Sequence, residues 1–333
     1  MTSHRPVGVL GAGAWGTALA QMLASDGRDV VLWALEPDVV EEINSTHRNT
    51  TYLASAKLAE TIRATSDLSE FAELEIVFAV TPAQHLGSVL RQMPKAPGDL
   101  VLCSKGIEAG TGRLMNNVAK DALPDSEIAV LSGPTFAHEV AAGLPTAVTL
   151  ACTGGEAQWD RLITAIARPT FRPYFTEDVT GAEIGGSIKN VLAIACGVVD
   201  GLGLGQNARA ALIARGYAEM LRFGQALGGQ RDTLSGLCGL GDLVLTCSST
   251  SSRNFSLGKA LGEGKSAAEL MADRKTVAEG AHTAPVLHEL AQGREIDMPI
   301  VEAVNAILGG ATPAKVVAQL LARPLTTEQG EPV

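Results

Sequence analysis

Residues 9–20 read VLGAGAWGTALA, and the reading of this stretch decides the fold. An apolar run, VGVL at 7–10, breaks into glycines at 11, 13 and 16, after which ALAQMLAS resumes with helix-forming residues. Gly11, Gly13 and Gly16 fit the spacing G-x-G-x-x-G, a weak signal alone in a chain with 36 glycines among 333 residues. The setting strengthens it. With a strand before and a helix after, the first glycine makes the tight turn, the second lets backbone approach a pyrophosphate, and the third allows the helix to pack on the strand. The helix start adds N–H donors and the positive end of a dipole for the phosphates. A plain strand-to-helix corner uses the same residues, but the full βαβ context at the N-terminus favours a bound dinucleotide.

The alternation continues outward from this point. Further strand candidates are DVVLW (29–33), EIVFAV (75–80), LVLC (100–103), IAVLS (128–132), TAVTL (146–150) and FRPYF (171–175). Several are apolar on both faces, as strands covered by helices on both sides are. The pattern predicts an α/β Rossmann-type domain with a doubly wound parallel sheet over residues 1–180. From 181 to 323 the β-runs vanish and Ala, Leu and Gly at helical spacing predict an all-α second domain, broken at GLGLGQN (201–207), the glycines 228 and 229, SSTSSRN (248–254) and GEG (262–264). Residues 324–333 read as a polar, flexible tail.

Composition narrows the function classes. A net charge of −10 argues against nucleic acid and anionic membrane surfaces, though a few local cations still suffice for a small anionic substrate. The longest uninterrupted apolar run, Val191 to Val199, is far short of the roughly 20 residues of a bilayer span. MTSHRP leads straight into VGVL without the features of a secretory leader, and the five cysteines are scattered in apolar sequence, so a cytoplasmic protein with buried thiols is expected. The six histidines form no tight pair, and no metal site is expected.

Glu36 lies 20 residues after Gly16, at the end of the second predicted strand. An acid there accepts hydrogen bonds from ribose hydroxyls and repels a 2′-phosphate, which favours NAD(H) over NADP(H). An exposed carboxylate opening a helix before Pro37 is the plainer alternative. For chemistry, Lys189 stands out in GGSIKNVLAIACGVV, where it and Asn190 precede a nearly all-apolar helix. Partial desolvation suits such a lysine to exchange a proton near neutral pH, while a snorkelling surface lysine fits the segment equally well. GGSIK also lacks the final glycine and preceding strand of a nucleophile elbow, which argues against a serine hydrolase.

CSKGI (103–107) places Lys105 just after a predicted strand, and SGPTFAHEVAAG (132–143) turns at Gly133 and Pro134 into a helix beginning near Thr135. Both lie at the carboxyl edge, where doubly wound sheets bind ligands; each alone reads more simply as a turn and a cap, but three such strand ends in one sheet, around Gly11, Lys105 and Gly133, point to a site. In GLGDLVLTCSSTSSRNFSLG (239–258), Asp242 and Thr246 are four apart, one face of a helix. A polar loop then presents Arg253 and Asn254, a guanidinium beside an amide, able to grip a phosphate, with Asp242 holding hydroxyls or orienting Lys189; a helix surface followed by a solvated loop is the commoner use of such residues.

Taken together, GAGAWGTALA, CSKGI, SGPTFAHEVAAG, IKNVLAIACGVVDGLGLGQNARAALIARG, GLGDLVLTC, SSRN and VAEG resemble, in order and over nearly the whole chain, the NAD(P)-dependent sn-glycerol-3-phosphate dehydrogenases of the bacterial biosynthetic type. The resemblance implies reversible reduction of dihydroxyacetone phosphate to sn-glycerol 3-phosphate for glycerophospholipid synthesis. It also implies a helical domain of the 6-phosphogluconate dehydrogenase type, with the site between the domains. It places proton transfer on Lys189, with Lys105, Asn190, Asp242 and Thr246 around it, and substrate contacts on Gly133, Thr135, Ser252, Arg253 and Asn254. Ala14, Trp15, Lys105, Ala137, Arg253, Val277 and Glu279 would touch the cofactor, and a homodimer is compatible with it. Where many relatives carry a basic residue after the second strand, this chain has Leu35 and Glu36, and Phe255 and Ser256 replace basic residues often found after SRN. The alternatives are a related hydroxy-acid or sugar-phosphate dehydrogenase, and a non-catalytic dinucleotide sensor.

Overall fold

The computed structural model describes residues 5–272, 278–325 and 327. They pack as two compact units: the chain up to Ser187 together with Gly224–Leu245, and Ile188–Phe223 together with the chain from Thr246 onward. The expected single boundary at 180 is therefore corrected in two ways. The long helix that follows the sheet starts in the first unit and ends in the second, and the segment after its partner helix returns to the first.

The first unit holds eight strands: β1 (Val7–Leu10), β2 (Val30–Trp33), β3 (Ile62–Thr65), β4 (Ile76–Ala79), β5 (Asp99–Leu102), β6 (Glu127–Ser132), β7 (Thr146–Cys152) and β8 (Phe171–Thr176). Their order in the sheet is β3-β2-β1-β4-β5-β6-β7-β8. Helices α1 (Ala14–Ala24), α2 (Pro37–Thr46), α3 (Thr50–Leu53), α4 (Ala83–Leu90), α5 (Met115–Ala122), α6 (Ala137–Ala141) and α7 (Gly155–Ile166) connect them. Strand alternation feeds two cores, one on each face: Val7, Val9 and Val101 enter one, while Leu10, Leu100 and Leu102 enter the other. The order reverses between β1 and β4, which opens a crevice at the carboxyl ends of those strands, just where Gly11 begins.

Two features depart from the sequence reading. β3 was not anticipated, because IRAT is short and carries an exposed Arg63, the device of an edge strand. The sheet is also not wholly parallel, since β7 runs antiparallel to β6. The link between them never crosses to the far end of the sheet. It turns at Gly133, where a Cβ would lie 2.9 Å from Val148 Cα, and its helix α6 has only five residues.

The remaining helices are α8 (Val179–Gly201), α9 (Gly205–Ala226), α10 (Arg231–Ser235), α11 (Asp242–Cys247), α12 (Arg253–Gly262), α13 (Ala267–Ala272), α14 (Glu279–Gln292), α15 (Pro299–Leu308) and α16 (Pro313–Leu321). A π-helical turn, Leu237–Gly241, leads into α11, with Gly241 N–H donating to Gly236 C=O at 3.0 Å. Within the second unit α8 and α12 cross at backbone contact: a Cβ on Gly197 would lie 2.1 Å from Phe255 O, and one on Gly258 2.0 Å from Ile194 O. α8 is long and apolar enough to cross a bilayer, contrary to the estimate from Val191–Val199, because Ser187, Lys189 and Asn190 interrupt the apolar run without interrupting the helix. Its apolar stretch is entirely buried in the protein, as befits a core helix.

Candidate active site

The glycine turn has the shape its spacing predicts. Gly11 adopts φ +117°, closed to most side chains, and its N–H donates to Trp33 C=O at 3.0 Å, which fixes the end of β1 to β2. A Cβ on Gly16 would lie 1.8 Å from Gly11 O, so α1 sits directly on the turn. Gly13 behaves differently. It is the N-cap of α1 without any side-chain cap, the first turn holds no acid, and a Cβ there would meet nothing within 4 Å. The helix start is thus left uncapped with open space beside Gly13, and this cradle fits a dinucleotide pyrophosphate. Ala14 and Trp15 follow, half-buried. Glu36 is exposed at the start of α2 and accepts a hydrogen bond from Tyr52 Oη at 3.0 Å. Burial, and then the neighbouring Glu36, raise the Tyr52 hydroxyl above its ordinary range, so it remains a donor.

Lys105 emerges beyond β5 and donates through Nζ to Asp242 Oδ2 at 2.7 Å, an ion pair whose carboxylate is fully buried. Its stem lies along α8: a Cβ on Gly186 would stand 3.5 Å from Lys105 Cγ and Cδ and 3.0 Å from Ser132 Oγ. Ser132 ends β6 and is buried, with no hydrogen-bond partner for Oγ among the described residues. The sequence reading passed over Ser132 and Gly186, although both lie inside motifs it quoted, because neither residue type signals chemistry by itself. The helix expected near Thr135 begins instead at Ala137, with Phe136 as N-cap; Thr135 Oγ1 bonds Gly133 C=O at 3.3 Å and so belongs to the turn.

In the second unit Lys189 is only 7 % exposed, which removes the snorkelling alternative, and its Nζ donates to Thr246 Oγ1 at 3.0 Å. Asn190 Oδ1 accepts from Asn254 Nδ2 at 3.0 Å, and Asn254 Oδ1 accepts from Gly280 N–H at 3.0 Å. This buried chain fixes the orientation of both amides. The polar loop predicted around Arg253 and Asn254 stops one residue earlier. Ser252 is the N-cap of α12, its Oγ accepting from Phe255 N–H at 3.3 Å, so exposed Arg253 and buried Asn254 open a helix. Glu279 opens α14, and Val277 lies outside the described residues. Asp242 and Thr246 share one face of α11, four residues apart.

An open glycine cradle at a sheet crevice, an acid just after the second strand, a half-buried lysine bonded to Asp242 and a buried one bonded to Thr246 are the parts of a nicotinamide-dependent dehydrogenase. Two family profiles match the chain, the NAD-dependent glycerol-3-phosphate dehydrogenase N-terminus over residues 6–158 and the C-terminus of the same name over residues 178–319. The chain belongs to this family. It is 72 % identical over 322 residues to a glycerol-3-phosphate dehydrogenase, NAD(P)+, of Erythrobacter litoralis, covering 97 % of each. Identity to the enzyme of the same name in Novosphingobium aromaticivorans is 73 % over 323 residues, covering 97 % of this chain and 98 % of that one. The crystal structure of glycerol-3-phosphate dehydrogenase from Coxiella burnetii superposes with a TM-score of 0.91 at 41 % identity, covering 96 % of this chain and 99 % of that one.

Proposed function

We propose that this chain reversibly reduces dihydroxyacetone phosphate to sn-glycerol 3-phosphate with NADH or NADPH, supplying glycerophospholipid synthesis in the cytoplasm. The observation that carries the reading is the buried ammonium of Lys189, aimed by Thr246. When bound, the reduced nicotinamide supplies the hydride. Lys189 Nζ stabilises the alkoxide as charge grows on the carbonyl oxygen and then gives it a proton, while Thr246 Oγ1 takes one N–H and so sets the direction of the others. Lys105 holds a second positive charge in place against Asp242. Arg253, Asn190, Asn254, Ser252, Gly133 and Thr135 bind the phosphate and hydroxyls, with Asn254 acting chiefly by orienting the Asn190 amide.

On the cofactor side, Gly11, Gly13 and Gly16 cradle the pyrophosphate, with Ala14, Trp15, Lys105, Ala137, Arg253, Val277 and Glu279 contributing contacts. Glu36 accepts from the ribose hydroxyls and favours NADH. The deciding experiment is NADH oxidation with dihydroxyacetone phosphate beside a panel of 2-keto acids and sugar phosphates. Dihydroxyacetone phosphate should give the highest kcat/KM, and a faster member of the panel would replace it. Lys189→Met should keep NADH binding, measured by fluorescence, and lose roughly 10²–10⁴ in kcat; near-normal turnover takes proton transfer away from this residue.

The partner expected in this reading is a second copy of the chain. A cavity of about 630 Å³ in the second unit, walled by Val198, Leu212, Ile300 and Ile307, is edged by Leu321 and Leu325, which are 80 % and 85 % exposed. So much exposed apolar surface at one rim is what a dimer contact would cover. Leu321→Asp should then sediment as a monomer.

A further inference from the structure

Glu36 is exposed, and an exposed glutamate ordinarily samples several rotamers. A carboxylate that wanders neither receives ribose hydroxyls in register nor repels a 2′-phosphate consistently. Here its position is set from outside. Tyr52 Oη donates to Glu36 Oε1 at 3.0 Å, from a helix, α3, of only one turn. Such a helix has little stability of its own. Asn49 supplies it: its Oδ1 caps α3 by accepting Tyr52 N–H at 3.2 Å, while its Nδ2 donates to Ala12 C=O and Thr17 Oγ1, both at 2.8 Å. Thr17 Oγ1 in turn donates to Ala12 C=O at 3.0 Å. Asn49 and Thr17 are completely buried, so these bonds are shielded from water. Glu42 of α2 ties the other side by accepting Thr50 N–H at 3.0 Å. Ala12 is the residue between the first two glycines of the cradle. A single buried amide therefore locks the pyrophosphate turn and, through Tyr52, the acid at the other end of the adenosine half-site.

We infer that Tyr52, seated on the glycine turn by Asn49, is a specificity-determining residue that aims the Glu36 carboxylate at the adenosine ribose, so that two hydroxyls are accepted and a 2′-phosphate is refused. The inference rests on the reading of Glu36 as the ribose acceptor. Tyr52→Phe removes one hydroxyl and keeps the ring, so the thermal midpoint should move little. The Kd values of NADH and NADPH, measured by calorimetry on the full-length protein, should draw together, the NADPH-to-NADH ratio falling about fivefold to tenfold, as loss of one hydrogen bond to a charged group predicts. Glu36→Ser should lower the ratio at least as far, and Tyr52→Phe added to Glu36→Ser should change it no further, because the hydroxyl acts only through the carboxylate. A ratio that falls in Glu36→Ser and stays unchanged in Tyr52→Phe overturns the role of Tyr52 and spares that of Glu36. An unchanged ratio in Glu36→Ser overturns the ribose reading itself and this inference with it. Additive effects in the double variant show Tyr52 acting on the cofactor by another route, which also overturns it.

Discussion

The starts of α1, α5 and α15 present the same chemistry, a ring of unpaired backbone N–H groups, and the protein treats them in two opposite ways. At α1 the N-cap is Gly13, no side chain caps the turn, and the space before it is open. At α5 the N-cap is Leu114, which offers no cap either, but Glu183 reaches over from α8 and accepts Asn116 N–H at 2.7 Å. At α15 the N-cap is Met298, and Glu219 of α9 accepts Ile300 N–H at 2.7 Å and Val301 N–H at 3.2 Å. Both glutamates are buried, and burial pushes Glu183 up to about 8 and Glu219 up to about 7. The starts of α5 and α15 are closed with the protein's own acids, whereas that of α1, where we propose the cofactor's pyrophosphate binds, is left open.

The most severe way to break this contrast is to close the open start. Gly13→Asp places an N-cap carboxylate where backbone geometry and space both allow it, so stability should rise by a few tenths of a kcal/mol while NADH affinity falls roughly a hundredfold. Equal or tighter NADH binding, by fluorescence titration, would mean that the pyrophosphate does not use this helix. The reverse change opens a closed start. Glu219→Ala leaves two buried N–H groups without an acceptor and should cost about 2–4 kcal/mol in denaturant unfolding, with the same change at Glu183 of similar size.

The smallest effect concerns pH. Both acids keep a proton in the folded chain after the unfolded chain has released it, because their folded values lie above the ordinary 4.5. Their contribution is complete below about pH 4.5 and is lost as pH rises, up to about 7 for Glu219 and about 8 for Glu183. Glu183→Gln and Glu219→Gln imitate the protonated form and should flatten the fall in unfolding midpoint over that range. An unaltered slope in both variants assigns the pH response to other groups.

What the sequence discloses follows from what kind of information a structural choice needs. Gly11 and Gly16 were legible because backbone sterics alone demand them, Gly13 because it completes their spacing, and the strands apart from β3 because an apolar run needs only burial. The antiparallel β7 was not, since strand direction depends on where the β6–β7 link re-enters the sheet. Neither was the exchange of segments between units, which no local composition reports. At the site, Lys189, Lys105, Asp242 and Asn254 could be named from their types and spacing, whereas their partners could not. That Lys105 meets Asp242, 137 positions away, and that Tyr52 holds Glu36 are products of the fold.

The π-helical turn at Leu237–Gly241 carries a consequence of its own. Bonding Gly241 back five residues instead of four adds one position at the head of the helix, and each added helical position rotates everything after it by about 100°. Asp242 and Thr246 both ride on the helix that follows, one bonded to Lys105 and the other to Lys189. The angular phase of both acceptors is thus set by one widened turn, LCGLG, and deleting a single glycine from it would swing the two away from their lysines together.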